Sequence, residues 1–392
     1  MPTCLYFGSL QTNWVLIMDN NSVYKIAIGL VPGIGNVMTR QLISYCGSVE
    51  EVFKQPKAKL LKVPGIGEIA ANAIATSDAL QQAEKIAEKA EKQGHKIYFY
   101  TDADYPERLK TISDAPTLLY YSGSAGFNHQ RVVAIVGTRR ATEYGKKATE
   151  AVVTSLVKYN CLIVSGLAYG IDIAAHRTAL KVGLPTIGVM ASGLDFLYPS
   201  EHKKTAEQML ANGGTLTEQT YGVKAEAHHF PARNRIIAGM ADATVVIEAA
   251  EKGGALISAE IANSYDKDVF AIPGNIDQPF SRGCNRLIAQ NKAVCLADPY
   301  DLPIFMNWDL ESKPISTQNK GLQLNIEGLQ LNDQEKSLLK YLEQHREVHI
   351  DELSRNLQIP VNSIGSVLLQ LEFQGLVKSL AGKKFALLAA KP

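Results

Sequence analysis

The sequence predicts an α/β protein built around a mostly parallel sheet. Between residues 95 and 303, short β-branched runs alternate with helical patterns, which is typical of βαβ units. The flanking segments, 22–94 and 331–392, carry apolar residues mainly at helical spacing. The chain has 392 residues, which is too long for one ordinary core and suggests roughly two or three domains.

Composition restricts the classes of protein to which the chain can belong. Lysine plus arginine (40) nearly cancels aspartate plus glutamate (39), so a nucleic-acid site must be a local patch. The five cysteines are odd in number and form no CxxC pair, which argues against a disulfide framework or a zinc cluster and favours a reducing cytosol. The apolar stretch 14–18 is too short to span a bilayer, so we expect a cytoplasmic protein with no membrane partner. Residues 1–17 read awkwardly, which makes Met18 a candidate translation start.

Residues 1–98 are predicted to form an all-helical domain with a repeated turn. The pentapeptide VPGIG occurs at residues 31–35 and again at 63–67, each time between helical patterns. This arrangement resembles the helix-hairpin-helix (SAM-like) unit, in which glycine N–H groups meet a DNA phosphate without reading bases. We expect a weak DNA contact at Gly33, Gly35 and Arg40. The second copy is expected to be mainly structural, because the adjacent Glu68 repels phosphate.

Residues 99–305 are predicted to form the central domain, whose sheet is covered on both faces. In a doubly wound sheet, ligands bind beyond the carboxyl ends of the strands, so the loops that follow the strands are the candidate site. The predicted strands are Val132–Val136, Leu162–Val164, Thr186–Met190, Thr215–Glu218, Thr244–Glu248 and Val269–Ile272.

Glycine and small polar residues follow nearly every predicted strand. Gly137-Thr138-Arg139 follows the first strand, residues 165–172 (SGLAYGID) follow the second, and Gly253-Gly254 follows a later one. Glycine lets backbone N–H groups approach a ligand and each following helix offers its positive N-terminus, so these loops predict a phosphate site. No GxGxxG or complete phosphate loop is present, so nicotinamide cofactors and ATP are poorly supported and we expect no cofactor.

The stretch from Lys224 to Arg235 (KAEAHHFPARNR) indicates single-stranded nucleic acid. Its arginines can neutralise phosphates, Asn234 can pair with base or backbone edges, and Phe230 offers a face for a base. An equally supported interpretation makes Phe230 a hydrophobic staple against the helix that it precedes. Arg233 and Arg235 point to different helix faces, so one can form an internal salt bridge while the other meets the ligand.

Two further residues that could carry chemistry are interpreted as structural. His176 follows Asp172 on one helical face, but no serine or cysteine nucleophile can be placed beside it, so we expect a contact that closes the neighbouring loop. Glu248, at a strand end, is expected to accept hydrogen bonds from loop N–H groups. We therefore predict no catalytic residues and no metal site.

The C-terminal residues predict a winged helix. Residues 306–330 lack a period and are predicted to be a linker, and 331–392 are predicted to form the domain. Helical runs at 333–345, 350–356 and 361–373 precede two short strands around Ala381-Gly382. Between Arg355 and Lys378 there is no lysine or arginine, so we expect a protein-contact or autoregulatory module instead of a base reader.

Several long motifs follow one another in a fixed order: Gly137-Thr138-Arg139, SGLAYGID at 165–172, FPARNRIIAG at 230–239, GGALIS at 253–258 and GCNRLI at 283–288. Together they resemble the DNA-processing protein A family (DprA/Smf), over nearly all of residues 100–295. In one departure, Thr138 stands where the family often has serine. In another, Ala227 stands where the family often has a basic residue, which Lys224 could replace.

The resemblance implies an extended Rossmann-like central domain that binds single-stranded DNA without cutting it. It also implies a homodimer that protects incoming DNA and helps load the RecA recombinase in natural transformation. By the same resemblance Arg139 holds a phosphate, Phe230 contacts a base and Arg233 to Arg235 complete the site. The other candidate DNA-binding residues are Gly137, Thr138, Ser165, Gly166, Gly170, Lys224, Gly253, Gly254 and Ser258.

The alternative hypothesis is a Rossmann-like enzyme that processes nucleoside monophosphates. Phosphoribohydrolases of that kind carry a PGGxGTxxE signature. Here Gly253-Gly254 is followed by Ala255-Leu256, so the threonine and the downstream glutamate of that signature are missing. A third interpretation is a structural scaffold with a vestigial phosphate rim.

Overall fold

The computed structural model describes residues 20–308, 331–345, 348–374, 376–380 and 384–387. The candidate start at Met18, most of the predicted linker and the turn at Ala381-Gly382 lie outside the described residues. The chain forms two compact units, of which the first ends at Ser312 and the second begins at Lys313. The domain boundaries at residues 98, 305 and 330 stay predictions.

The N-terminal segment is helical, as predicted for residues 22–94. Its helices are separated by short turns. Ser48 caps the start of the third helix by accepting a hydrogen bond from the Glu51 N–H at 3.1 Å. The sixth buries alanines along one face. The helices are α1 Asn20–Leu30, α2 Asn36–Cys46, α3 Val49–Lys54, α4 Lys57–Leu60, α5 Glu68–Thr76 and α6 Ala79–Lys92.

The two VPGIG pentapeptides adopt the same turn. Gly33 and Gly65 have φ angles of 80° and 78°, a left-handed conformation that glycine adopts without strain. The Ile34 N–H donates to the Val31 carbonyl at 3.1 Å, and the corresponding bond in the second copy, from Ile66, has the same length. The sequence repeat is therefore a repeated structural element.

The central sheet has nine strands in the order β1-β2-β6-β5-β4-β3-β7-β8-β9. Strands β3 to β9 pair parallel with one another, whereas β2 pairs antiparallel with both β6 and the edge strand β1. The predicted fold class is confirmed, and each of the six predicted strands lies within two residues of an observed one. The strands are β1 Lys96–Phe99, β2 Leu118–Gly123, β3 Val132–Val136, β4 Leu162–Ser165, β5 Thr186–Val189, β6 Gly213–Thr217, β7 Ala243–Val246, β8 Asp268–Ala271 and β9 Val294–Cys295.

Helices cover both faces of the parallel strands. Alternate residues of β3 explain this: Ala134 packs with α11 and α12, whereas Val133 and Ile135 pack with α8 and α9. The helices are α7 Glu107–Lys110, α8 Glu143–Ser155, α9 Ile171–Val182, α10 Lys203–Met209, α11 His229–Met240, α12 Gly254–Ser264, α13 Arg282–Ala289 and α14 Leu302–Phe305.

The strand order reverses between β3 and β7. From β3 the chain runs outward through β4, β5 and β6, and after α11 it returns to β7 on the other side of β3. The carboxyl ends of β3 and β7 therefore flank a crevice of the kind in which doubly wound sheets bind ligands.

The helical segment shares a core with the antiparallel edge of the sheet, through Phe99, Leu118 and Tyr120. Polar contacts reinforce it: the Lys25 ammonium lies 2.6 Å from the Asp102 carboxylate. Arg40 donates from Nη1 to the Ser113 carbonyl at 3.1 Å and from Nη2 to the Ala115 carbonyl at 3.0 Å. These carbonyls occupy its guanidinium, which disfavours the predicted DNA contact at Arg40. Gly33 and Gly35 remain exposed.

The C-terminal unit has the predicted winged-helix elements and a core of its own. Asn332 and Glu335 form a capping box at its first helix. Its strands form an antiparallel sheet in the order β10-β12-β11. The elements are α15 Asp333–Gln344, β10 Val348–His349, α16 Ile350–Leu357, α17 Val361–Phe373, β11 Val377–Leu380 and β12 Lys384–Leu387.

Candidate nucleic-acid interface

A cleft of about 310 Å³ lies where the strand order reverses. It brings together loops that are far apart in sequence: the end of β3, the loop after β7 and the first turns of α11 and α12. A helix N-terminus favours an anion because its first N–H groups are unpaired. The predicted site residues that line the cleft are Gly137, Thr138, Arg139, Phe230, Arg233, Asn234, Gly253, Gly254 and Ser258.

Arg139 supplies an exposed positive charge at this cleft. Its guanidinium carbon lies 4.7 Å from the centroid of the Phe230 ring, within the range of a cation–π contact. In the part of the chain that the structure describes, Arg139 forms no salt bridge. Its charge is therefore open to a phosphate.

Phe230 lies inside the first turn of α11, which begins at His229. A hydrophobic staple uses a residue that precedes the helix, so this placement does not support that interpretation. The half-buried ring instead contacts Arg139, Arg233 at 6.0 Å from its centroid, and the ring of Tyr198, whose centroid is 6.1 Å away.

Arg233 lies beneath the cleft and is only 5% exposed. Its Nη1 donates to the carbonyl oxygens of Gly166 and Val189, and Gly166 leaves room for the guanidinium because it has no side chain. Burial lowers the pKa of Arg233 to about 10, so it stays charged at neutral pH. Asp172 is buried nearby; burial raises the pKa of its carboxyl, and Arg233 opposes that rise. Arg233 thus holds the carbonyls of Gly166 and Val189, at the carboxyl ends of β4 and β5, and places a positive charge beneath the cleft.

Arg235 does not join the cleft, although the sequence predicted a DNA contact there. Its Nη2 pairs with the Glu218 carboxylate and its Nη1 donates to the Asp114 carbonyl. The sequence interpretation allowed one of the two arginines an internal salt bridge, and Arg235 is that residue. Its partners come from distant loops, and this pairing disfavours the predicted DNA contact at Arg235.

Four other predicted residues lie outside the main cleft, of which Gly166 borders the Arg233 guanidinium. Ser165 is buried and donates from its hydroxyl to the Ile135 carbonyl at 2.6 Å, so it has no open hydroxyl for DNA. Gly170 shapes the loop by passing close to the Thr138 carbonyl. Lys224 is exposed, and its ammonium lies 5.8 Å from the Phe196 ring centroid.

Two residues interpreted as structural have that role. The carboxylate of Glu248 is buried and accepts hydrogen bonds from the N–H and the hydroxyl of Thr142, at 3.0 and 2.5 Å. Nδ1 of His176 lies 2.7 Å from the Thr186 hydroxyl in the interior. The prediction for Glu248 is confirmed, since it holds the loop after β3. His176 is structural as expected, but it ties α9 to β5 instead of closing the neighbouring loop.

Sequence reasoning missed the aromatic side chains of the loop after β5. Tyr198 and Tyr169 line a small second cavity together with Phe230 and Arg233. The signal was present as Phe196 and Tyr198 directly beyond a predicted strand, at the edge where ligands bind. Strand and turn patterns identify glycines, but they do not identify aromatic residues within a loop.

The described residues contain no group of three or more histidine, cysteine, aspartate or glutamate side chains that could hold a metal ion. Among the same residues, no helix combines the length and the apolar character needed to cross a bilayer.

Comparison with known proteins identifies three matching family models. DNA recombination-mediator protein A matches residues 96–307, the DprA winged helix domain matches 328–383, and the SAM-like helix-hairpin-helix tandem matches 28–77. The last two agree with the predicted terminal folds.

The chain is also similar to individual proteins. It is 32% identical to Protein Smf of Synechocystis sp. over 94% of this chain and 99% of that protein. It is 43% identical to DNA processing protein DprA of Streptococcus pneumoniae over 48% of this chain and 67% of that protein. The X-ray structure of DprA from Streptococcus pneumoniae superposes with a TM-score of 0.62 at 34% identity, covering 73% of this chain and 97% of that one. Since the central model matches more than half of the sequence, the chain belongs to the DNA recombination-mediator protein A family, DprA/Smf.

Proposed function

We propose that the chain binds single-stranded DNA in the cleft between β3 and β7. The observation that carries this proposal is the exposed Arg139 guanidinium beside the Phe230 ring, at the rim of a cleft bordered by glycine loops. Single-strand binding proteins combine a positive groove for the backbone with aromatic faces for the bases. Here the positive charge of Arg139 and the aromatic ring of Phe230 are in contact, 4.7 Å apart.

The cleft is suited to a strand of any sequence. Its lining is rich in glycine and alanine, and the Asn234 side-chain oxygen accepts a hydrogen bond from Nε of Arg233 at 3.2 Å. Specific readout needs donor and acceptor groups that are free to meet base edges. We therefore expect binding through phosphates and ring faces, with little preference among bases.

We further propose that the protein acts as a homodimer, protects incoming single strands and helps to load the RecA recombinase in natural transformation. The family is named for mediating recombination, and relatives of the chain are named DNA processing proteins. A mediator must hold a strand without reading its sequence, which is what the cleft chemistry supports.

The binding role is proposed to be non-catalytic. The alternative, an enzyme acting on nucleoside monophosphates, needs a carboxylate that is free to act near the phosphate site. Both oxygens of Glu248 already accept hydrogen bonds from Thr142, and Asp172, which lines the cleft, is buried and accepts a hydrogen bond from the Ala168 N–H. These contacts favour binding over turnover.

Fluorescence anisotropy tests this proposal. A labelled oligo-dT and a duplex of the same length are titrated with the full chain across a series of salt concentrations, beside incubations with nucleoside monophosphates. We expect the single strand to bind more tightly than the duplex, its affinity to fall with salt, and no base to be released. Tighter duplex binding, binding that is independent of salt, or base release would overturn the proposal.

A further inference from the structure

The ring of Phe230 is already surrounded by protein groups. The Arg139 guanidinium lies over it, Arg233 approaches it from the buried side, and Tyr198 meets it at an interplanar angle of 63°. A base that stacks there must take the place of the Arg139 guanidinium or stack on the far side of it. Phe230 alone therefore offers little open ring surface.

Tyr198 presents more ring to solvent than Phe230 does. It is 52% exposed, and two further aromatic side chains near the cleft, Tyr169 and Phe196, are 40% and 39% exposed. Single exposed apolar residues are ordinary, but a cluster of exposed aromatic rings beside a cleft indicates an interaction site. Tyr169 and Tyr198 also line the same small cavity as Arg139 and Phe230.

The sheet order places Tyr198 on the path of a bound strand. The main cleft lies at the ends of β3 and β7, and the order continues through β4 to β5, whose following loop carries Tyr198. A strand that leaves the cleft along the carboxyl edge of the sheet, away from β7, therefore passes the loop after β4, which carries Tyr169, and then reaches Tyr198. Lys224, in the loop between β6 and α11, lies against Phe196 of the loop after β5 and adds a positive charge for the backbone.

We infer that Tyr198 stacks the nucleobase adjacent to the one held at Phe230 and Arg139. The site thus extends from the main cleft toward β5 and takes at least two consecutive nucleotides of a single strand. The ring centroids of Tyr198 and Phe230 are 6.1 Å apart, so the two bases belong to neighbouring nucleotides. This inference rests on the proposed single-strand binding, and it adds a base contact that the phosphate site does not supply.

The test compares two oligonucleotides with the same phosphates: an oligo-dT and an oligomer of abasic sugars of equal length. The full chain is prepared as wild type, Tyr198→Leu and Tyr198→Phe. We expect Tyr198→Leu to bind oligo-dT about 5- to 100-fold more weakly, the effect of losing one stacked base. Tyr198→Phe keeps the ring and should bind oligo-dT like the wild type. All three should bind the abasic oligomer equally, which also shows that the variants are folded.

A matched control is Tyr45→Leu, which removes a tyrosine that is 61% exposed at the far end of α2 from the first glycine turn. It should bind oligo-dT like the wild type. As a second readout, Tyr198→Trp should add a fluorescence signal that oligo-dT quenches and the abasic oligomer does not.

The outcomes separate this inference from the function on which it rests. If the wild type binds oligo-dT and Arg139→Ala does not, but Tyr198→Leu matches the wild type on both oligomers, the Tyr198 inference is wrong and the binding function stands. If the wild type binds no single strand, the proposed function fails as well. Equal weakening by Tyr45→Leu and Tyr198→Leu, or equal weakening on the abasic oligomer, would also overturn the stacking role.

Discussion

Arg139 and Arg233 both lie beside Phe230, yet they differ in what their guanidinium groups can do. Arg139 is exposed, whereas Arg233 is buried and bonded to two loop carbonyls. Arg235, two positions on, is paired with Glu218. Sequence identifies all three as basic residues near a phosphate loop. It cannot separate their roles, because the partners come from loops at distant positions in the chain.

A pair of glycines at the two ends of α9 allows a matched test of crowding. Gly170 and Gly183 have φ angles of 78° and 79°, but a Cβ at Gly170 would lie 2.2 Å from the Thr138 carbonyl oxygen, whereas one at Gly183 meets nothing within 4 Å. We expect Gly183→Ala to lower the free energy of unfolding by about 1 kcal/mol and Gly170→Ala by about 3 kcal/mol. Equal losses in chemical denaturation would contradict the close approach at Thr138.

The buried His176 predicts a dependence of stability on pH. Burial lowers its pKa to about 3, with His202 and Arg233 contributing, whereas an unfolded histidine has a pKa of about 6.5. Between these values the unfolded chain binds a proton that the folded chain does not. This contribution to stability is therefore complete above pH about 6.5 and is lost as the pH falls, by up to about 1.4 kcal/mol per pH unit.

Replacement of the imidazole tests this. The variant His176→Gln should show a smaller slope of unfolding free energy against pH between about 6.5 and 5. Burial also lowers the pKa of His95 and His129, so part of the wild-type slope should remain. Identical slopes in the two proteins would show that the pKa of His176 is not lowered in the folded state.

Among the secondary-structure elements, the parallel strands were the most predictable. A strand buried on both faces carries a continuous apolar run bounded by glycine or polar residues, and β3, β4, β7 and β8 have this pattern, whereas β6 (GGTLT) is buried with glycine and threonine. The antiparallel strands β1 and β2 were not predicted, because they carry polar and aromatic residues and their place depends on pairing of β2 with β6 and of β1 with β2. The two-residue edge strand β9 was not predicted either. The glycine loops of the site followed from the strands, whereas Tyr198 did not, because a loop aromatic has no periodic pattern.

The contact between α2 and the segment before β2 depends on Arg40. We expect Arg40→Ala to lower the free energy of unfolding by about 1–3 kcal/mol, because it leaves the carbonyls of Ser113 and Ala115 without their donors. Since this guanidinium does not face a ligand, the salt dependence of DNA binding should not change. As a control, Lys62→Ala changes an exposed residue of the N-terminal helical segment and should alter the free energy of unfolding by about 0.5 kcal/mol or less. If Arg40→Ala instead lowers the slope of log affinity against log salt, that result would support the DNA contact predicted from the sequence.

At the scale of the whole molecule, the features of the proposed strand site lie in the first compact unit. The helical segment and the sheet share one core there, and the cleft is formed by the central loops. In the second unit α17 carries no lysine or arginine, and its Phe373 is 86% exposed. A helix without lysine or arginine disfavours contact with a nucleic-acid backbone, and the protein-contact role of this unit stays a prediction.

Truncation tests that division of roles. A chain that ends after Asp309 should retain the single-strand affinity of the full chain, because Arg139 and Phe230 remain in place. Anisotropy with the same labelled oligomer measures both proteins. A marked loss of affinity in the shortened chain would assign DNA binding to the winged-helix domain.

The most direct test of the central claim is the salt dependence of oligo-dT binding by Arg139→Ala. Lys181→Ala is the control, since it removes an exposed cation from the last turn of α9, away from the cleft. We predict that Arg139→Ala weakens binding about tenfold or more and lowers the slope of log affinity against log salt by about 1, whereas Lys181→Ala behaves like the wild type. If Arg139→Ala binds single strands as tightly as the wild type, with the same slope, the cleft between β3 and β7 is not the strand site.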